Sequence, residues 1–207
     1  NRRVVPVILL INGGAYITKQ FRQPFYVGDP VNIVRLFSEK VADEILIVCK
    51  LGWEVEKAVL KSMARFARVP LSVTGKVRKV EDVQELLSLG LEKVVLGSSV
   101  DSDVATKIVE SYGMSTVSYK IDVRKTGLFK SAYKYNGLKS LTENKVLANT
   151  FNEIIINYID HDGTFEISEN EEILMFLKGS GSLGYSGGIG SINDLPRLFE
   201  LGYSGLY

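Results

Sequence analysis

A single cysteine, Cys49, in 207 residues rules out an intrachain disulfide and any cysteine-cluster zinc site. A single histidine, His161, rules out a multi-histidine metal centre, so no metal is expected. The Gly-x-Gly-x-x-Gly fingerprint of dinucleotide binding is missing after the first apolar run, where Asn12-Gly13-Gly14 does not satisfy it, and no cofactor is expected. No apolar run approaches the roughly 20 residues of a membrane span. Val4–Ile11 follows Arg2-Arg3 in the manner of a signal peptide, but it contains Pro6 and runs into Asn12-Gly13-Gly14 where a small-residue cleavage site would be needed. A buried strand and a reducing cytoplasm are the better fit. Excess charge is absent too. Lys and Arg number 25 against 24 Asp and Glu, so electrostatics gives no ground for a nucleic acid or an anionic membrane as partner.

What is present is a repeat. Val73–Val95 returns as Tyr185–Tyr207 at constant offset and without a gap. Gly75 matches Gly187, Asp82 matches Asp194, Leu86 matches Leu198, Leu89 matches Leu201 and Gly90 matches Gly202. Each copy reads as a strand end, a Gly-containing loop, a short amphipathic helix, a glycine at the helix C-terminus and the next strand. Self-similarity on this scale implies a duplicated half-barrel or two mononucleotide-type halves.

Between and before the copies, strands alternate with helices. Strands are expected at Val4–Ile11, Glu44–Val48, Pro70–Val73, Lys93–Leu96, Thr116–Ile121 and Glu153–Asn157, with a short seventh near Tyr185–Ser186 because Gly179–Gly184 is Gly/Ser-rich. A long loop should join the first strand to a helix that Asp29-Pro30 opens and that runs to about Val41. Trp53–Phe66 and Asp103–Tyr112 should be helical. Arg124–Gly137 reads as a loop or small hairpin. Ser140 with Glu143 and Ser168 with Glu171 are capping-box pairs that open two more helices. This is an α/β chain with a parallel sheet. The repeat favours one closed (β/α)8 barrel over residues 1–207.

In such a barrel the chemistry sits at the C-terminal ends of the strands. Asp122 ends the fifth strand, and Asp160-His161-Asp162-Gly163-Thr164 follows the sixth. Carboxylates there suit general acid–base work. The Gly/Ser-rich ends of the third, fourth and seventh strands, with Gly75, Ser98 and Gly188, suit a phosphate. Loop capping and tight turns explain the same residues equally well. At the opposite face Arg3, Glu44, Lys93 and Glu153 stand at four strand starts, two cations and two anions. They form either a ring across the floor or ordinary salt bridges.

Here the chain resembles a known family. Arg3-Val4-Val5-Pro6, Gly28-Asp29-Pro30, Asp43-Glu44-Ile45, Gly90–Val94, Ile121-Asp122, Glu153-Ile154-Ile155, Asp160–Thr164 and Ser186-Gly187-Gly188 are similar to the cyclase subunit of imidazole glycerol phosphate synthase, the HisF-type TIM barrel of histidine biosynthesis. Asn12-Gly13-Gly14 and Phe25–Asn32 resemble a paralogous branch found with lipopolysaccharide and other surface-polysaccharide genes. That branch works with a glutaminase-like subunit and an amidotransferase to make acetamidino sugars. The resemblance implies a glutaminase partner at the barrel floor, an ammonia channel gated by Arg3, Glu44, Lys93 and Glu153, and a phosphorylated small-molecule substrate held by Ser98, Asp162, Gly163 and Gly188, beside the Gly75 that the strand ends already offer.

It also implies a catalytic pair of aspartates. Asp122 matches one, but Leu9 occupies the other position. Cys49, Lys76 and Gly97 depart from the family pattern as well. An ammonia-accepting synthase subunit with weakened chemistry is therefore expected, ahead of a true cyclase or a stand-alone phosphosugar isomerase. Finally, Tyr207 maps onto Val95 in the repeat. The eighth strand is thus expected to be barely begun and its helix missing, with the barrel open between the seventh and first strands.

Overall fold

The first apolar run folds as two short strands, β1 (Arg3–Val4) and β2 (Val7–Ile11), because Pro6 carries no N–H for a continuous ladder. In this computed structural model, which describes residues 1–40, 42–126, 133–136, 140–168 and 171–207, the two strands act as one stave of a barrel. The next staves are β5 (Ile45–Cys49), β6 (Leu71–Thr74), β7 (Lys93–Leu96), β8 (Val117–Lys125), β10 (Glu153–Tyr158), β11 (Ser182–Ser186) and β12 (Gly205–Leu206). Each pairs in parallel with its neighbour.

The helices lie between staves: α1 (Pro30–Lys40), α2 (Lys57–Phe66), α3 (Val80–Ser88), α4 (Ser102–Tyr112), α5 (Leu141–Ala148), α6 (Glu171–Leu177) and α7 (Asp194–Leu201). This is the expected (β/α)8 architecture. The Asp29 carboxylate accepts from the Asn32 N–H at 2.8 Å, capping α1 as read from the sequence. The expected end of that helix at Val41 lies outside the described residues. Ser140 and Glu143 form their capping box. Residues 169–170, inside the second expected box, lie outside the described residues, and the Ser168 N–H donates to Tyr185 Oη at 2.6 Å.

The ring closes, which corrects the expected gap between the seventh and first staves. Short as it is, β12 pairs with both β11 and β1: Gly205 stands opposite Gly184 and Arg3, and Leu206 opposite Tyr185 and Val4. The Val5 N–H to Leu206 O bond at 2.7 Å and the Tyr207 N–H to Tyr185 O bond at 2.8 Å extend the ladder. Above this level another segment takes the free edge of β2. Residues Gly14–Lys19 (β3) fold back antiparallel along Leu9–Ile11, and Arg22–Gly28 (β4) pairs with β3. The long loop expected here is thus a meander. Its first turn, Asn12-Gly13, has φ of 47° and 79°, the two-residue hairpin turn that Asn-Gly favours.

The seventh stave is also longer than expected, and its glycine has a packing reason. A Cβ on Gly184 would meet the Tyr207 ring at 2.7 Å. The barrel interior at this level is an apolar layer of Val5, Leu46, Val95, Ile155 and Tyr207, and Gly184 and Gly205 leave room for the ring. The larger apolar core lies between the sheet and the helices. Tyr133–Tyr135 (β9) pairs antiparallel with β8, so part of Arg124–Gly137 is a small hairpin; residues 127–132 and 137 are outside the described set.

The repeat conserves physical roles. Asp82 accepts from the Arg78 and Lys79 N–H groups, and Asp194 accepts from those of Gly190 and Ser191. Each carboxylate thereby fixes the loop ahead of its helix. Gly75 and Gly187 pack against the carbonyl ending the previous stave: an added Cβ would lie 2.6 Å from Cys49 O and 2.5 Å from Tyr158 O. Gly202, by contrast, has a similar φ of 113° but open space around it. Gly202→Ala should therefore cost about 1–2 kcal/mol through backbone conformation alone. Gly187→Ala adds a clash with fixed backbone and should cost about 3–4 kcal/mol. Denaturant midpoints of the two variants check the difference.

Candidate functional site

The barrel has two mouths. At the lower one, strand alternation aims Arg3, Glu44, Lys93 and Glu153 into the bore from the first, second, fourth and sixth staves, and the four side chains meet. Arg3 donates from Nη1 to Glu44 Oε2 at 2.7 Å and from Nη2 to Glu153 Oε1. Lys93 Nζ donates to Glu44 Oε2 and to Glu153 Oε2, each at 3.1 Å. Cation and anion alternate around a closed, neutral ring. Ser118 Oγ and Tyr207 Oη each add a hydrogen bond to Glu153 at 2.8 Å, tying the ring to the interior layer above.

The carboxylates are the buried members, with side-chain exposures of 6% for Glu44 and 9% for Glu153, against 18% for Lys93 and 24% for Arg3. Burial by itself would raise the Glu153 pKa. Lys93, Arg3 and the hydroxyls of Tyr207 and Ser118 outweigh it and hold the carboxyl below its ordinary value. Burial likewise opposes the Arg3 charge, yet Glu153, Tyr207 and Glu44 carry its pKa upward. Glu44 Oε1 is buried without a hydrogen-bond partner among the described residues.

At the upper mouth the bore opens into two adjoining cavities, of about 450 and 250 Å³. Leu9, Phe21, Val48 and Lys120 line both. The smaller cavity brings Asp122 together with Gly75 and Ser98, and with Cys49, Lys50, Lys76 and Gly97. Asp122 Oδ1 accepts from Asn157 Nδ2 at 2.7 Å and lies 3.3 Å from Lys120 Nζ. Its backbone is held on both sides by Asn136, whose Oδ1 accepts from the Asp122 N–H at 2.8 Å and whose N–H donates to the Asp122 carbonyl at 2.9 Å. Lys50 and Lys76 point their ammonium groups at the carbonyls of Phe21 and Leu51, at 3.1 and 2.9 Å.

The larger cavity holds Asp162, Gly163 and Gly188. These three also have packing roles. Asp162 Oδ2 accepts from Thr18 Oγ1 at 3.0 Å and from the Phe21 N–H at 3.2 Å, pinning the β3–β4 meander over the mouth. A side chain on Gly163 would strike the Thr18 carbonyl, and one on Gly188 the Glu166 carbonyl. Asp160 accepts from the Lys125 N–H at 2.6 Å and His161 Nδ1 contacts Glu166 O at 2.7 Å, so both serve the loop.

Burial, then Glu56 and Glu54, push the Cys49 thiol up to about 12. Among the described residues no three His, Cys, Asp or Glu side chains converge as metal ligands, and no helix is long and apolar enough to cross a membrane.

Two features of this mouth escaped the sequence reading. Lys120 was hidden in a strand of mixed residues, although its place two before Asp122 fixes it on the same inward face. The meander was hidden by Pro24 and by a second turn, Gln20-Phe21, whose φ of 52° and 58° are adopted without glycine. The Asn-Gly turn that begins it was the available signal.

The chain matches the family described as Histidine biosynthesis protein over residues 3–206. Three relatives span its length. One from Leptospira borgpetersenii, provisionally named as imidazole glycerol phosphate synthase subunit HisF, is 32% identical over 99% of this chain and 87% of its own. One from Vibrio vulnificus, provisionally named as subunit hisF3 of that synthase, is 30% identical over 96% and 82%. Imidazole glycerol phosphate synthase subunit HisF of Sulfolobus acidocaldarius is 27% identical over 97% and 86%.

Two outcomes follow from the electrostatics. Since the Glu153 pKa is lower in the folded protein, its charge contributes stability that is complete above the unfolded value near 4.5 and fades as pH falls through the folded value. Denaturant titrations between pH 3 and 7, roughly that window, should show this loss in the wild type and a flatter profile in Glu153→Gln. Cys49, with its raised pKa and 2% exposure, should resist a thiol-specific reagent at pH 8 until the chain is unfolded.

Proposed function

The chain belongs to the histidine biosynthesis protein family, and on that premise we propose that it is a HisF-like synthase subunit that accepts ammonia from a glutaminase docked at the lower mouth. The observation that carries this reading is the neutral four-membered ring across the barrel floor. A structural floor needs only apolar side chains, whereas ionised groups held in the bore cost desolvation. Placed at the entrance of an axial path, they offer donors and acceptors to a small polar molecule. The smaller upper cavity, with Gly75 and Ser98, supports a phosphate site, and Asp162, Gly163 and Gly188 are assigned to a second. Asp122 is assigned as the proton-transfer residue.

The acetamidino-sugar branch is the preferred setting. Leu9, buried on the bore wall where the cyclase would carry its other aspartate, cannot transfer a proton. A true cyclase is the second reading, supported by Asp122 and by the name of the Sulfolobus acidocaldarius relative. A stand-alone phosphosugar isomerase leaves the ring without a purpose.

Mixing the protein with a glutaminase subunit from the same source tests the proposal. Glutaminase activity should rise on mixing; no change would remove the partner. Arg3→Ala should lower glutamine-dependent turnover more than turnover with added ammonium salt. Cyclase turnover with ammonium salt should lie about 10² to 10⁴ below that of an intact acid–base pair. Equal turnover would show that another residue has replaced the missing aspartate.

A further inference from the structure

We propose that Lys120 is a reactive amine at the floor of the upper mouth, forming an imine with the carbonyl group of a phosphorylated aldehyde or ketone. Its position carries the inference. Lys120 projects inward from the middle of β8, with its side chain 15% exposed, and lies on the floor shared by the two cavities. A ligand extending from one cavity to the other crosses its amine. The surrounding floor of Leu9, Val48 and Phe21 is apolar. Among the described residues the ammonium meets the Asp122 carboxylate at 3.3 Å, which leaves N–H bonds to spare for a ligand.

Asp122 is positioned for the proton work. Its Oδ1 is fixed by Asn157 and its backbone by Asn136, so a carboxylate stands beside the nitrogen as acceptor and donor. The Lys120 ammonium passes one proton to Asp122, and the freed nitrogen attacks the carbonyl carbon to give a carbinolamine. Proton transfers within the pair then expel the former carbonyl oxygen as water. The product is a C=N bond to Lys120 that retains the remaining proton; one carbonyl compound and one ammonium give one iminium and one water.

The phosphate requirement rests on the reading of Gly75 and Ser98 given above, so the test separates the two. Pyridoxal 5′-phosphate, a phosphorylated aldehyde, is added to the whole chain and the imine is fixed with borohydride. Peptide mapping then locates the label. Lys120 should carry most of it, ahead of the neighbouring Lys50 and Lys76, and inorganic phosphate added before the borohydride should suppress it. Lys120→Arg keeps the charge facing Asp122 and should lose the label while retaining phosphate binding by ³¹P NMR. Label confined to Lys50, Lys76 or surface lysines, or no label, overturns the proposal. Label on Lys120 that prior phosphate does not suppress upholds the imine and removes the phosphate reading of the smaller cavity.

Discussion

The alternating ring of Arg3, Glu44, Lys93 and Glu153 is the constraint around which the barrel is set. It requires four staves to present a charge at the same height, and hence in one register. It also requires neutrality, because the carboxylates are buried and each is shared between both cations. Removing one member of such a cluster leaves an unpaired buried charge, a loss of about 3–5 kcal/mol when burial is complete. Arg3 and Lys93 keep some exposure, so the cost for them is smaller.

Above the ring the structure is built in levels. Tyr207 links the first two, with its hydroxyl on Glu153 and its ring in the apolar layer. The third level is the mouth, where Lys120, Asp122 and Asn157 succeed Ser118, Glu153 and Ile155 on the same inward faces of β8 and β10. Polar chemistry is therefore concentrated at the two ends of the bore, with the apolar layer of Val5, Leu46, Val95, Ile155 and Tyr207 between them, and only β8 presents polar residues at every level named here.

Much of this was legible in the residues. Continuous apolar runs separated by capped amphipathic helices gave the staves, and the Gly75/Gly187 and Asp82/Asp194 matches marked sites where the same backbone approach and the same loop fixation recur. The resemblance to the synthase family placed the four charges, although spacing alone left them open between a ring and unrelated salt bridges. What could not be read was long-range. A two-residue strand such as β12 has no periodicity to detect, and Gly184 looks like a strand breaker until Tyr207 is seen to need its space. The upper edge of β2 looked bare because its partner, β3, comes from its own next few residues. Lys120 is an ordinary strand residue until the opposite wall shows that it faces a cavity.

The pairing of Arg3 with Gly205 has a consequence for the order of folding. Nearly the whole chain must be spanned before this contact can form, so its loop-closure entropy is the largest in the ladder and its formation is expected late. The backbone that makes it carries the Arg3 side chain between Glu44 and Glu153. The Asp43 N–H and carboxylate already hold Val4 to the second stave, so Arg3 can stand beside Glu44 before the barrel closes. Zipping the last seam then fixes the Arg3 backbone from its other side, through Ser204 and Gly205, and steadies the guanidinium that completes the charge balance.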